Sequence, residues 1–345
     1  MTQQLEFVQL EGTHRDIGLQ HGRRLCERIS RTALFYNDVL FQGQSDLIEE
    51  QGNLYLSQID QFNQGFGDEI RGIAEGSDQP VWQIAALNAR TEIYQRVNAS
   101  PTNECTASFF PRTRLLGQNW DWMEPLEKLI VVMQITRPDG HQILQMTEPG
   151  IMAKIGFNSK GLGVCLNILV GGANPPRVPV HILLRSALES DSLEEFRDIL
   201  DSTPMGTFSN ILAADSKGDF LDVEICGDHT RYVDYGDRPI VHTNHFLSPY
   251  RECTNEATDD SFASSRQRYS RGSHLYSTVA SDLDRFKLML ADEQNAPNEI
   301  CRAYRMVEGN ILGTVTSIIM DLQNQALHIT AGKCSENPWQ CVTFS

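Results

Sequence analysis

Positive charge is scarce in this chain: 29 Lys and Arg stand against 45 Asp and Glu, a formal net charge of −16. So acidic a protein repels nucleic acid and anionic membrane, and neither is an expected partner. Long apolar runs are missing as well, and no stretch reaches the length that crosses a bilayer. The opening residues, MTQQLEFVQLEGTHRDIG, show neither a basic n-region nor an apolar h-region. No secretory signal is expected, and the cytoplasm is the expected compartment. The eight cysteines lie far apart without a CxxC pair. That spacing argues against a zinc knot and a disulfide framework, so reduced thiols are expected.

Familiar catalytic signatures are absent too. There is no HExxH, no GxxxxGK[ST], no GxGxxG and no GxSxG, which removes the sequence support for zinc peptidase, nucleotide-binding and α/β-hydrolase readings. His14 and His21 have no acidic partner at ligand spacing and read as solvated or capping residues. No metal and no cofactor is expected.

What is present is an ordinary globular composition, 40% hydrophobic and 21% charged over 345 residues, enough for a large core. The first hundred residues read helical. Thr13 and Asp16 have the spacing of a capping box, followed by Ile17, Leu25, Ile29 and Leu34 at helical intervals. A helix is expected over Asp68 to Glu75, stopped by Gly76, and another from Pro80 through VWQIAALNARTEIY.

From Cys105 the pattern turns to strands. CTASFF and RLLGQNW flank a Pro-containing turn, RPDG joins LIVVMQI to HQILQMT, and NSKG joins IMAKIGF to LGVCLNIL. Two helices follow, one after NPPRVP and one at Ser192 to Leu200 with a Ser192/Glu195 capping box. SNILAAD, FLDVEICG and PIVHTNHF are strands, helical segments occupy Ser261 to Asp292 with SSRQRYSRGS between or within them, and TVTSIIMDL and ALHITAG are strands again. One domain over residues 1–345 is expected, a layered α+β arrangement of two antiparallel sheets with helices outside.

The chemistry on offer is thiol, amide, carboxylate and guanidinium. A cysteine nucleophile needs a base, and no histidine is singled out by its neighbours, though one distant in sequence could serve. Alternatively the nucleophile supplies its own base. If the bond before Cys105 is cut, the new α-amino group, with a reference pKa of ~8, can take the thiol proton. Helices up to Glu104 followed by strands suit that order.

Here the chain resembles the acyl-CoA:6-aminopenicillanate acyltransferase (isopenicillin N acyltransferase) family, also counted among the cysteine peptidases of the N-terminal-nucleophile hydrolases. The residues that carry the resemblance are LEGTHRDIGLQHG, ALNARTEIY, ECTASF, GQNWDW, IGFNSKGLGVCLN, HTNHF and ICRAYRM with TVTSIIMDL, in family order over nearly the whole chain. The resemblance implies a four-layer αββα fold and an inactive precursor that cuts itself between Glu104 and Cys105. Residues 1–104 would form an α chain that stays associated with a β chain of residues 105–345. Cys105 resembles the nucleophile of both self-cleavage and turnover, against a plain reading as a buried strand thiol. Asp121 is similar to the aspartate that orients the new amino group, against a turn carboxylate. Asn244 is similar to the asparagine facing the tetrahedral oxyanion, against a strand-end cap. Arg302 falls where the family commonly shows Cys-Arg-His and would add positive charge near thiolate or substrate, against a surface arginine; Ala303 replaces the histidine.

The resemblance implies a thiol enzyme that opens a small-molecule carboxamide through an acyl-enzyme and passes the acyl group to water or an amine. Two alternatives stand beside it. One is an uncleaved, non-catalytic member acting as a binding or scaffold protein. The other is a penicillin V or bile-salt amidase, although those chains usually begin at the cysteine after a short leader.

Overall fold

The computed structural model describes residues 4–97, 104–171, 176–249, 263–278, 282–307 and 309–345. A strand, β1 (Glu6–Glu11), leads into six helices: α1 (His14–Arg24), α2 (Cys26–Phe35), α3 (Ser45–Phe62), α4 (Gln64–Ser77), α5 (Val81–Asn88) and α6 (Arg90–Val97). Next come β2 (Glu104–Phe110), β3 (Leu115–Met123), β4 (Val131–Thr136), β5 (Gln142–Thr147), β6 (Ile155–Asn158) and β7 (Leu162–Ile168). Helices α7 (Val180–Glu189) and α8 (Leu193–Ser202) precede β8 (Thr207–Asp215), β9 (Phe220–Gly227), β10 (His229–Tyr232) and β11 (Val241–His242). Helices α9 (Ala263–Thr278) and α10 (Leu283–Leu290) precede β12 (Arg305–Val307), β13 (Asn310–Asp321), β14 (Ala326–Ile329) and β15 (Gln340–Thr343).

The strands make two sheets. One runs β1-β4-β5-β6-β7-β8-β9-β10, the other β11-β2-β3-β13-β14-β15, with β12 paired to β13. Helices α7 and α8 pack on the first sheet, α9 and α10 on the second, and β2 and β3 of one sheet meet β7 of the other. This is the expected αββα layering. The sheets are also joined by a polar clasp: Gln118 Nε2 donates to Leu166 O at 3.1 Å while Leu166 N donates to Gln118 Oε1 at 2.7 Å. Strand β3 is buried along its whole length because it has a sheet on one face and helices on the other. Its polar residues therefore need partners inside.

Several expectations need correction. The first residues are not only helical: β1 joins the first sheet, and it runs parallel to β4, so the sheets are not wholly antiparallel. The helix expected from Pro80 breaks at Ala89. There the Asn88 side chain donates to Gly150 O and accepts from Met152 N, both at 2.9 Å, and α6 restarts with Arg90 and Glu92 turned inward. Gly76 does not stop α4, which continues to Ser77 and caps on Asp78 at φ 54°. Leu34 is 60% exposed, off the stripe that buries Ile17, Leu25 and Ile29. His21 is fully buried and accepts from Gly150 N at 3.0 Å, while His14 pairs with Glu189 at 3.0 Å, so neither is a solvated residue. Cys226 is disulfide-bonded, which overturns the expectation of eight reduced thiols and the thiol argument for a cytoplasmic setting. Ser261 and Cys253 lie outside the described residues. Among those described, no helix is long and apolar enough to cross a membrane.

The Thr13/Asp16 capping box forms as expected at the start of α1. That helix then presses on α4 through glycines that periodicity does not reveal. A Cβ on Gly18 would sit 2.1 Å from Glu69 O, and one on Gly22 would sit 2.4 Å from Ile73 O. Both obstacles are backbone, so a methyl group can enter only if the helices separate. Gly22→Ala should therefore cost roughly 1–3 kcal/mol of stability, read as a lowered melting temperature. A wild-type melting curve would contradict the close approach.

Candidate active site

The site starts from strand register. Pairing of β2 with β3 sets Cys105 opposite Trp120 and Glu104 opposite Asp121. Pairing of β11 with β2 sets His242 opposite Ala107, and carrying that register forward brings Asn244 level with Cys105. At that level Cys105 N donates to Asn244 Oδ1 at 2.7 Å. On its other side Asn244 Nδ2 donates to Ile168 O, and its backbone N donates to Ser265 Oγ, each at 2.8 Å.

The loop that carries Asn244 is anchored from the first sheet. His242 Nε2 lies 2.9 Å from Glu224 Oε1, and Glu224 also accepts from Leu247 N and Ser248 N. Asn167 Nδ2 donates to the carbonyls of His242 and Thr243 at 2.8 and 3.0 Å. Asn244 is therefore held from both sheets.

Asp121 lies on the opposite face of β3 from Trp120. Its register partner Thr314 donates Oγ1–H to Asp121 Oδ1 at 2.6 Å. A register shift in β13 falls immediately after Thr314, the kind of bulge that re-aims side chains beside a site. Asp121 Oδ2 is buried with no hydrogen-bond partner among the described residues. Burial raises the Asp121 carboxyl well above the usual range, and the Arg268 guanidinium opposes that rise.

Arg302 meets this group through its backbone. Its N–H donates to Thr314 Oγ1 at 2.8 Å and its carbonyl accepts from Thr314 N at 3.1 Å, while Nη2 donates to Pro297 O at 3.4 Å. The guanidinium beside Cys105 is that of Arg268, from α9. Fully buried, Arg268 donates through Nη1 to Cys105 O at 2.5 Å and Thr106 Oγ1 at 3.1 Å, and through Nη2 to Asn244 Oδ1 at 3.0 Å. Sequence reasoning passed over it inside SSRQRYSRGS. The available signal was Ser265 and Arg268 one helical turn apart, on the face that α9 turns inward.

A second buried charge group closes the other side. Glu148 accepts from Tyr36 OH, from Arg90 Nη2 at 2.8 Å and from Lys154 Nζ at 2.5 Å. Trp122 Nε1 donates to Tyr36 OH at 3.2 Å, and Lys154 Nζ stands 2.9 Å from the Trp120 ring centroid. Burial opposes the Glu148 charge, but Arg90 and Lys154 outweigh it and hold the carboxyl at about 2. Lys154 fares differently. Burial, with the rival charge of Arg90 on the same carboxylate, brings its ammonium down to about 7. Arg90, Cys105, Trp120, Asp121, Trp122, Lys154, Leu166 and Ile168 together line a small pocket of about 10 Å³, room for about one water molecule. Sequence reasoning missed Arg90, Glu148 and Lys154. Their signal was charge within or beside apolar runs, Arg90 in ALNARTEIY, Lys154 in IMAKIGF and Glu148 just after HQILQMT, since charged residues are seldom buried unless paired.

Inside that pocket the Cys105 thiol is pushed up to about 12, first by burial and then by Asp121, with Arg268 and Lys154 pulling the other way. Such a thiol is protonated at neutral pH and is a poor nucleophile without a base. Among the described residues no group of three or more His, Cys, Asp or Glu is placed to hold a metal ion.

A family model described as acyl-coenzyme A:6-aminopenicillanic acid acyl-transferase matches residues 110–336. The chain belongs to this family. In agreement, it is 31% identical over 354 aligned positions to the acyl-coenzyme A:6-aminopenicillanic-acid-acyltransferase 40 kDa form of Emericella nidulans, covering 98% of this chain and 96% of that protein. Among solved structures, a variant of conjugated bile acid hydrolase from Clostridium perfringens aligns with a TM-score of 0.47 and 16% identity, over 70% of this chain and 97% of the other. Penicillin V acylase from Agrobacterium tumefaciens aligns with a TM-score of 0.44 and 14% identity, over 66% of this chain and 82% of the other.

The depressed Lys154 makes this acyltransferase-family protein's stability depend on pH in a definite direction. An unfolded lysine keeps its proton to a pH of about 10.4, whereas the folded one releases it near 7. Between those values the unfolded chain binds the extra proton, so stability rises with pH, and the full cost applies below about 7. Wild type should gain roughly 1–2 kcal/mol relative to Lys154→Met from pH 7 to pH 8.5, measured by denaturant unfolding at each pH. Parallel pH profiles for the two proteins would count against a shifted lysine.

Proposed function

We propose that the protein is a self-processing N-terminal-cysteine amidohydrolase or acyltransferase acting on small-molecule carboxamides. The observation that carries this reading is the nitrogen of Cys105: it stands at the second position of β2, bonds to Asn244 Oδ1, and lies on the strand pair that carries Asp121, whose Oδ2 has no hydrogen-bond partner among the described residues. Family membership and the acyltransferase named above support the reaction class.

In the uncut chain Cys105 has no α-amine to take the thiol proton, so turnover waits on the cut. Self-cleavage adds Cys105 Sγ to the Glu104 carbonyl carbon and breaks the Glu104–Cys105 C–N bond, with a proton passing to the departing nitrogen. Water then hydrolyses the thioester, which leaves a Glu104 carboxylate and a new α-amine at Cys105. An ammonium there has three hydrogens to place. Asn244 Oδ1 already accepts from this nitrogen, and Asp121 Oδ2 is a buried acceptor with capacity to spare.

Turnover reuses the same atoms. The α-amine takes the thiol proton, Sγ attacks the substrate carbonyl, and negative charge collects on its oxygen. Asn244 Nδ2 has a second N–H beyond the one given to Ile168 O and is the proposed oxyanion donor. The proton returns to the leaving amine, and water or another amine takes the acyl group from sulfur. Arg302 contributes by holding Thr314, hence Asp121, through its backbone. The electrostatic role expected of its side chain belongs in this proposal to Arg268.

Residues 1–104 and 105–345 stay together after the cut. Strand β1 pairs with β4, and Arg90 is bonded to Glu148, so both backbone ladder and buried charge cross the boundary.

Intact mass tests the processing. Wild type should yield two chains that co-purify, and Cys105→Ala a single full-length chain. An alanine variant that still splits before residue 105 would sink self-cleavage by this thiol, and an uncut wild type without amidase activity would favour the scaffold reading. A second measurement addresses Asn244. Asn244→Leu, once confirmed as processed, should lose about 10²- to 10³-fold in kcat with KM little changed. Normal kcat per processed molecule with a lowered melting temperature would leave Asn244 a structural residue.

A further inference from the structure

Away from the Cys105 pocket, two other thiols face one another. Cys301 lies between α10 and β12, and Cys334 lies between β14 and β15; their sulfurs are 3.7 Å apart and both side chains are buried. They sit in a separate small core with Phe286, Met289, Leu290 and Ile319. Polar groups rim one side: Cys301 Sγ is 3.7 Å from Ser335 Oγ, Ser335 donates to Glu293 at 2.6 Å, and Lys333 Nζ is 2.6 Å from Glu293. A bonded pair needs an S–S distance of about 2.05 Å, so closing the gap asks for a shift of under about 2 Å, within reach of rotamer adjustment.

The pair is wired to the site. Ile300, beside Cys301, offers its carbonyl to Asn119 Nδ2 at 2.9 Å, and Asn119 Oδ1 accepts from Ser317 Oγ at 2.6 Å. Arg302, on the other side of Cys301, donates its backbone N–H to Thr314, which in turn donates to Asp121. These bonds tie the backbone on either side of Cys301 to β3 and β13.

We propose that Cys301 and Cys334 form a reversible disulfide under a mild oxidant such as hydrogen peroxide, and that its closure shifts the Arg302–Thr314 contact behind Asp121. The first thiolate attacks a peroxide oxygen, giving a sulfenic acid and, after protonation, water. The second sulfur attacks the sulfenic sulfur, forms the S–S bond and expels a second water. Two thiols are oxidised and one peroxide is reduced; a dithiol reverses the reaction. Cys301 suits the attacking role because the hydrogen bond from the Cys334 thiol lowers its pKa to about 7, despite burial. Bond formation is independent of the proposed function, and only its effect on turnover rests on the role given to Asp121.

The test uses the full protein, reduced with dithiothreitol, desalted, exposed to graded hydrogen peroxide, alkylated and mapped by mass spectrometry. A peptide pair joining Cys301 to Cys334, lighter by one hydrogen molecule and lost on re-reduction, is expected in wild type and absent from Cys334→Ser. Hydrogen exchange in peptides covering Arg302 and Thr314 should change on oxidation of wild type and stay constant in the variant. Should Cys334→Ser fail to fold, Cys301→Ser serves the same purpose. Alkylation of both sulfurs at doses that oxidise the exposed Cys26 and Cys341 would overturn the disulfide. A disulfide that forms with unchanged exchange at Arg302 and Thr314 would overturn the coupling.

Discussion

Everything at the centre of this molecule is arranged around one buried guanidinium. Arg268 has no solvent to shed its charge into, and taking such a group out of water costs several kcal/mol unless hydrogen bonds and an opposite charge compensate. Its bonds to Cys105 O, Thr106 Oγ1 and Asn244 Oδ1 supply the first. Asp121 opposes the burial cost of the guanidinium, although burial remains the larger effect and lowers the Arg268 pKa. The converse also holds, since Arg268 is the group that counters the rise of the Asp121 carboxyl. Cysteine, asparagine, aspartate and arginine are thus held in place by one electrostatic requirement, with α9, β2, β3 and the loop after β11 each contributing a member.

Much of the fold was legible because it was written in short-range signals. RPDG and NSKG turned between hydrophobic runs, and the hairpins β4–β5 and β6–β7 follow. The elements that escaped were those whose reasons are tertiary. Strand β1 is mostly exposed in alternate positions and gains its identity from β4, a partner more than a hundred residues away. The break at Ala89 comes from Asn88 satisfying the backbone of residues 150 and 152, which helix propensity cannot register. Helices α1 and α4 approach through Gly18 and Gly22, residues that a propensity argument treats only as weak points.

The site divides in the same way. Cys105, Asp121 and Asn244 stand in recognisable motifs, and the structure brings all three to one place. Arg268, Lys154, Arg90 and Glu148 carry as much of the local field but sit in segments that read as a Ser/Arg-rich helix, an apolar strand approach and an apolar helix. Their meaning lies in pairs formed across long separations, such as Arg90 with Glu148. A charge inside an apolar run was the clue, and its partner could be named only from three dimensions.

Strand β1 has a consequence for the molecule's life after synthesis. It covers the edge of β4, and an uncovered strand edge invites other chains to pair with it. In this chain the hem on the large sheet is therefore stitched by a segment that precedes residue 105, so the sheet's edge and its Cys105-bearing partner sheet come from opposite sides of that position.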